Sequence, residues 1–219
     1  MVSLQFFGHP FSSYTQKVLI AFYADGTDFE YRHLEIAEPM PFMDELRSHW
    51  PFGKFPLLLD EGKAVVESTV IIEHLQAHHP GPNRWIPEGD VGRHVRFLDR
   101  FFDIYVMTPM QRIVAEHFRP QGAADPYGVG MARATLNTAY DWLEEHLPSS
   151  WAAGDTFTLA DCSAAPSLFY ADWVEPIGKD RPRLNAFRAR LLAHPPISRC
   201  VEEARPYRPL FPPGAPDRD

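Results

Sequence analysis

Two short stretches in the first seventy residues carry hydroxyls where an anion could be held. Ser12 and Ser13 follow a Gly8-to-Pro10 break and stand at the start of a run, Val18, Leu19, Phe22 and Tyr23, at helical spacing. A hydroxyl at a helix start caps it, and it can also donate to an anion. A charge-assisted hydrogen bond contributes about 1.5 to 3 kcal/mol and the helix dipole about 0.3 to 1 kcal/mol. Tyr14 is a third hydroxyl within reach. Glu67-Ser68 repeats the theme at the head of a second run, Ile71, Ile72 and Leu75. There Ser68 and the free N–H groups of the first turn can bond a carboxylate, and Glu67 can pair with an ammonium.

Other reactive types read as structural. Thr158 as helix cap puts Asp161 at the third helical position, where its carboxylate returns to the cap, with Phe157 and Cys162 as a hydrophobic staple. Cys162 and Cys200 lie far apart with no CxxC spacing, so they are expected as reduced, packed thiols. His74 and His78 have i, i+4 spacing, but the HExxH pattern and a third ligand nearby in sequence are lacking. They are expected as a solvated helix end, and no metal is expected. Arg93, Arg96 and Arg100 with Asp99 and Asp103 read as a charged helix face.

The elements that position these residues follow from periodicity. Residues 2 to 7 predict a strand, 12 to 25 a helix ended by Gly26, and 29 to 34 a second strand reached by a helical crossover. A short helix is expected near 41 to 48. Leu57 to Leu59 and Ala64 to Val66, joined by Asp60-Glu61-Gly62-Lys63, predict a hairpin, and the helix from Ser68 should stop at Pro80. The order is β-α-β-α-β-β-α. Residues 81 to 91, rich in proline and glycine, read as a linker. From residue 92 only helical spacing recurs: Leu98, Phe101, Phe102 and Tyr105 in a long helix that Pro109 should kink, then Leu136 to Leu147, then Leu184 to Leu191. Five prolines in the last fifteen residues predict a tail that wraps the surface. The expected fold class is therefore an α/β domain over residues 1–80 and an all-α domain over 92–219.

Composition narrows the function. The 219 residues are 45% apolar and 23% charged, and their apolar runs fall far short of a bilayer span. The formal net charge of −8 disfavours nucleic acid as a partner. The N-terminus lacks the basic and apolar regions of a secretory signal, so a cytoplasmic protein is expected, with no membrane partner.

Three segments, HPFSSYTQKV, GKFPLLLD and VVESTVIIEHL, followed by the helical half with its FTLADC cap, together resemble the soluble glutathione transferases of the serine type, across roughly residues 2 to 205. The resemblance implies a thioredoxin-like domain that binds glutathione as substrate, and a helical domain that supplies most of the pocket for a small electrophile. It also implies a homodimer. A free thiol has a pKa of about 8.5, and lowering it by two units takes roughly 2.7 kcal/mol, within reach of a hydroxyl at a helix start. The resemblance assigns that hydroxyl to Ser12 or Ser13, a few residues before Lys17. It makes Phe55-Pro56 a cis pair whose Phe55 backbone meets the cysteinyl part of glutathione. Lys54 falls to the glycyl end, Glu67-Ser68 to the γ-glutamyl end, and Tyr105, Thr108 and Arg112 to the electrophile pocket. Trp50 stands where relatives carry a polar residue. Isomerisation of a maleyl-type substrate and a noncatalytic carrier are the alternatives; thiol–disulfide reduction is disfavoured because the active loop has no cysteine.

Overall fold

A computed structural model describes residues 4–35, 40 and 42–219. The first part contains β1 (Gln5–Gly8), α1 (Ser13–Asp25), β2 (Glu30–His33), α2 (Met43–His49), β3 (Leu57–Asp60), β4 (Lys63–Val66) and α3 (Ser68–His78). The expected order of elements is reproduced; residues 1–3 and 41, at the edges of two expected elements, lie outside the described residues. The sheet runs β2-β1-β3-β4, with β1 parallel to β2 and antiparallel to β3, and β3 antiparallel to β4. Glu61 and Gly62 join β3 to β4, both at positive φ, as a tight hairpin that matches the strand twist requires.

Alternation along the strands divides the core. Phe6 and Leu58 face the main core with α1 and α3, while Phe7, Leu57 and Leu59 face a smaller cluster that includes Leu34 and Leu46. Gly8 ends β1 where a Cβ would lie 2.6 Å from Thr15 of α1, so only glycine lets the strand end this close to the helix.

The linker is pinned in place. Trp85 is fully buried and its Nε1 donates to Asp25 at 2.8 Å, while Ile86 N–H donates to Gln76. Helix α4 (Gly89–Phe101) starts three residues before the expected boundary. The disruption expected at Pro109 takes the form of a π-helical stretch, Phe102–Met107, that leads directly into α5 (Thr108–Ala115). Proline has no N–H to give, and the wider turn absorbs the missing bond: Thr108 donates through its N–H and its hydroxyl to the Asp103 carbonyl, five residues back.

The remaining helices are α6 (Pro126–His146), α7 (Leu159–Val174), α8 (Pro182–Ala193) and α9 (Pro195–Ala204), then a 3-10 stretch at Arg205–Leu210 before the tail. All sixteen residues of α7 are buried, so it is the central helix of the second part. Its first turn is the expected cap: Asp161 accepts from Thr158 N–H at 2.9 Å and from Ala152 N–H at 2.7 Å. Cys162 and Cys200 are free and buried. Among the described residues, no helix is long and apolar enough to cross a membrane.

Candidate active site

A cleft of about 780 Å³ opens between the two parts. Its floor is the start of α1, its near wall the Phe55-Pro56 segment and the start of α3, and its far wall the π-stretch with α5.

The loop His9–Ser12 enters the cleft held from several directions. Ser12 N–H donates to the His9 carbonyl, and Phe11 N–H donates to His9 Nδ1 at 3.1 Å. Burial, with His33 adding, lowers His9 to about 4, so the ring is a neutral acceptor. Gln16 of α1 donates to the Pro10 carbonyl, and the Tyr170 hydroxyl of α7 donates to the Phe11 carbonyl at 3.0 Å. Ser12 then caps α1, its Oγ accepting from Thr15 N–H at 3.3 Å. That bond uses a lone pair and leaves the hydroxyl proton free to donate. Ser13, inside the first turn, is buried and does not line the cleft, because the next helical residue turns its side chain about 100° away. Tyr14 does line it. Burial pushes its phenol up to about 12, and the Asp103 and Glu67 carboxylates push the same way, so it stays a hydroxyl.

Phe55-Pro56 is cis and lines the cleft with Lys54 and Trp50. Glu67 caps α3 at φ 70° and ψ 122°, a conformation that costs a non-glycine residue about 1 to 3 kcal/mol. The strained turn sets Glu67 and Ser68 side by side at the cleft. Thr69, next in line, accepts from Lys17 Nζ at 2.8 Å and donates to Asp99 Oδ2 at 2.9 Å. Lys17 and Asp99 are both buried and 2.5 Å apart, and Ser163 of α7 adds a hydroxyl to Asp99. Asp99 is thus not part of a charged helix face. It is the buried partner of Lys17 and ties the α3 start to the second part.

On the far wall, Thr108 lines the cleft as expected, but Tyr105 and Arg112 do not. Tyr105 is about half exposed, and Arg112 pairs with Asp125 at 3.2 Å. Ile104 and Gln111 line the cleft beside Thr108 instead. Arg100 and Asp103 also reach the cleft, 3.4 Å apart, and burial raises the Asp103 carboxyl against the pull of Lys17.

The glutathione S-transferase N-terminal domain family matches residues 6–83, and its C-terminal domain family matches residues 92–190. Glutathione S-transferase F6 of Arabidopsis thaliana is 26% identical over 219 aligned residues, covering 92% of this chain and all of the relative. Maleylpyruvate isomerase of a Ralstonia species is 24% identical, over 72% of this chain and 77% of its own. A glutathione S-transferase of Methylobacillus flagellatus solved with GSH bound superposes at a TM-score of 0.80 with 22% identity, over 90% of this chain and 98% of that one. A family member from Pseudomonas fluorescens with bound glutathione gives 0.75 at 24% identity, over 90% and 98%. With the two domain families matched in order along most of its length, the chain belongs to the glutathione S-transferase family.

Proposed function

We propose that the chain is a glutathione transferase that binds glutathione along the near wall of the cleft and stabilises its thiolate through Ser12. The observation that carries this is the Ser12 hydroxyl at the α1 start, its Oγ accepting from Thr15 N–H, on the same cleft as Glu67 and Ser68 at the α3 start. Ser68 and the α3 N–H groups bind the γ-glutamyl carboxylate, Glu67 its ammonium, the Phe55 backbone the cysteinyl amide, and Lys54 the glycyl carboxylate. The thiol then lies over the first turn of α1. Ser12 donates to the sulfur, the helix end favours the negative charge, and the thiolate attacks an electrophilic carbon with departure of its leaving group. The electrophile packs on the far wall, against Ile104, Thr108 and Gln111. The protein acts in the cytoplasm as a homodimer, in keeping with its free thiols and with exposed apolar residues such as Phe52, Val70 and Phe97. Light scattering that returned the mass of one chain would end the dimer part of this reading.

An ultraviolet difference spectrum of the protein with glutathione, titrated from about pH 5 to 9, tests the thiolate. The midpoint should lie below the free-thiol value of about 8.5. Ser12→Ala should raise it by one to two pH units, a loss of about 1.4 to 2.7 kcal/mol. Ser13→Ala and Tyr14→Phe should leave it near the parent value. Glutathione binding without a thiolate band would favour a carrier, and an unchanged Ser12→Ala midpoint would remove Ser12 from the role.

A second reading, cis–trans isomerisation of a maleyl-type substrate, is favoured by the likeness to maleylpyruvate isomerase and by the Arg100 guanidinium at the cleft, which suits a substrate carboxylate. There the thiolate adds to the double bond, the new single bond rotates, and elimination returns the thiolate. Glutathione consumed one for one with substrate marks the transferase; glutathione regenerated marks the isomerase.

A further inference from the structure

Away from the cleft, at the opposite end of α3 from Ser68, two histidines converge on one carboxylate. Asp60 closes β3, and its Oδ2 lies 2.8 Å from His74 Nε2 and 2.7 Å from His79 Nε2. All three atoms fall within 4.8 Å of one another. The i, i+4 spacing singles out His74 and His78, but His78 is exposed and its ring packs on that of His74 at 4.4 Å. Five residues on a continuing helix would put His79 about 140° around from His74. The helix ends there instead: His79 is its cap at φ −133° and ψ 56°, and this brings the second ring back to the first. The third ligand missing from the sequence is supplied by the neighbouring strand.

Two features distinguish this cluster from an ordinary surface contact. No lysine or arginine pairs with Asp60 among the described residues, and its close polar neighbours there are the two imidazoles. Its other oxygen, Oδ1, is buried with no hydrogen-bond partner among the described residues, which leaves acceptor capacity unused.

We propose that Asp60, His74 and His79 form a site for a divalent transition metal, Zn²⁺ by preference, that clips the end of β3 to the end of α3. Two imidazole nitrogens and one carboxylate oxygen suit Zn²⁺ or Co²⁺ in a tetrahedral site, whereas Mg²⁺ and Ca²⁺ take oxygen ligands. Bonds of about 2.0 to 2.2 Å hold ligand atoms roughly 3.3 Å apart. The two Asp60–histidine separations therefore need to open by about half an ångström. Both histidine side chains are 21% exposed, so the ion enters from solvent and water completes its shell. None of the three residues lines the cleft, so the clip stands apart from the transferase reading.

The test uses the full-length protein, stripped with a chelator and titrated with Zn²⁺ by calorimetry and with Co²⁺ by visible absorption, in glutathione-free buffer. The expected result is one equivalent bound, with the intense absorption of tetrahedral Co²⁺ and a melting temperature that rises with added Zn²⁺. Asp60→Asn and His79→Gln should each weaken binding about tenfold or more, and His78→Gln should leave it unchanged. Binding should also weaken on acidification, since ligating histidines must be neutral. Circular dichroism confirms that each variant is folded, and either ligand variant alone decides the matter. No saturable binding by the parent, or equal binding by the folded ligand variants, overturns the proposal.

Discussion

Lys17 is a buried ammonium held by partners from α3, α4 and the π-stretch. Asp99 lies 2.5 Å away, Thr69 2.8 Å, and Asp103 3.7 Å. Removing one member of a buried pair leaves the other charge uncompensated, which costs about 3 to 5 kcal/mol. Asp99→Ala should lose that much stability in urea unfolding, and adding Lys17→Met should restore part of it. A loss under about 1 kcal/mol would mean that Asp103 takes over the ammonium. Lys17 was visible in the sequence only as a family landmark, and its partner was misread, since Asp99 sits 82 residues on among three arginines. That Lys54, the Phe55-Pro56 pair and Glu67-Ser68 share one wall was legible, because each lies in a short motif whose neighbours fix its place. Ser12 could not be separated from Ser13 by counting. That distinction needed the cap geometry, in which only the first hydroxyl faces the cleft.

Among the helices, α1 and α7 are the ones enclosed on nearly every side. All of α7 is buried and nine of the thirteen residues of α1, four of which, Ser13, Thr15, Gln16 and Lys17, are polar, with Gln16 and Lys17 held by partners from other elements. Asp161 anchors the first turn of α7, and truncating it would remove a cap and strand two buried N–H groups. Burial pushes its carboxyl up to about 6, against those two bonds. The folded value lies above the unfolded one, so the folded chain binds the extra proton between about pH 4 and 6. This stabilisation is complete below the lower value and is lost as pH rises through the upper. Asp161→Ala should therefore cost about 2 to 3 kcal/mol at pH 5 and less at pH 7.5, read from urea midpoints. A cost that grows with pH would contradict this placement. The cap itself was legible because it is a four-residue pattern. Helix α9 is not among the expected helices; Pro195 and Pro196 stand in its first turn, where a missing N–H costs nothing. The π-stretch was also missed: its cause, Pro109, was recognised, but a periodicity argument has no way to represent an extra residue in the turn.

For the whole molecule, the consequential fact is that the two parts share one core. The main cluster runs from Leu4 and Phe6 through α1 and α7 to Phe211, and α1 packs on α7 and α9 as well as on α3. Polar contacts cross the same boundary: Gln16 to Tyr170, Lys17 to Asp99, and Tyr23 to Glu203. The cleft lies along this boundary, so the orientation of Ser12 depends on a helix more than 140 residues further on, through the Tyr170 hydroxyl. The sequence gives no direct sign of this coupling, because its domain boundary suggests two independent units. Each large apolar side chain uncovered on separating them costs about 1.5 to 3 kcal/mol, and a few such exposures match the 5 to 15 kcal/mol total stability of an ordinary domain. A fragment of residues 1–82 should therefore show no cooperative unfolding transition. The full chain should unfold in one step, with tryptophan fluorescence and far-ultraviolet circular dichroism coincident. A fragment with a sharp transition of its own would show that the sheet and α1 to α3 carry their own stability, and that the shared core orients the cleft without holding the first domain together.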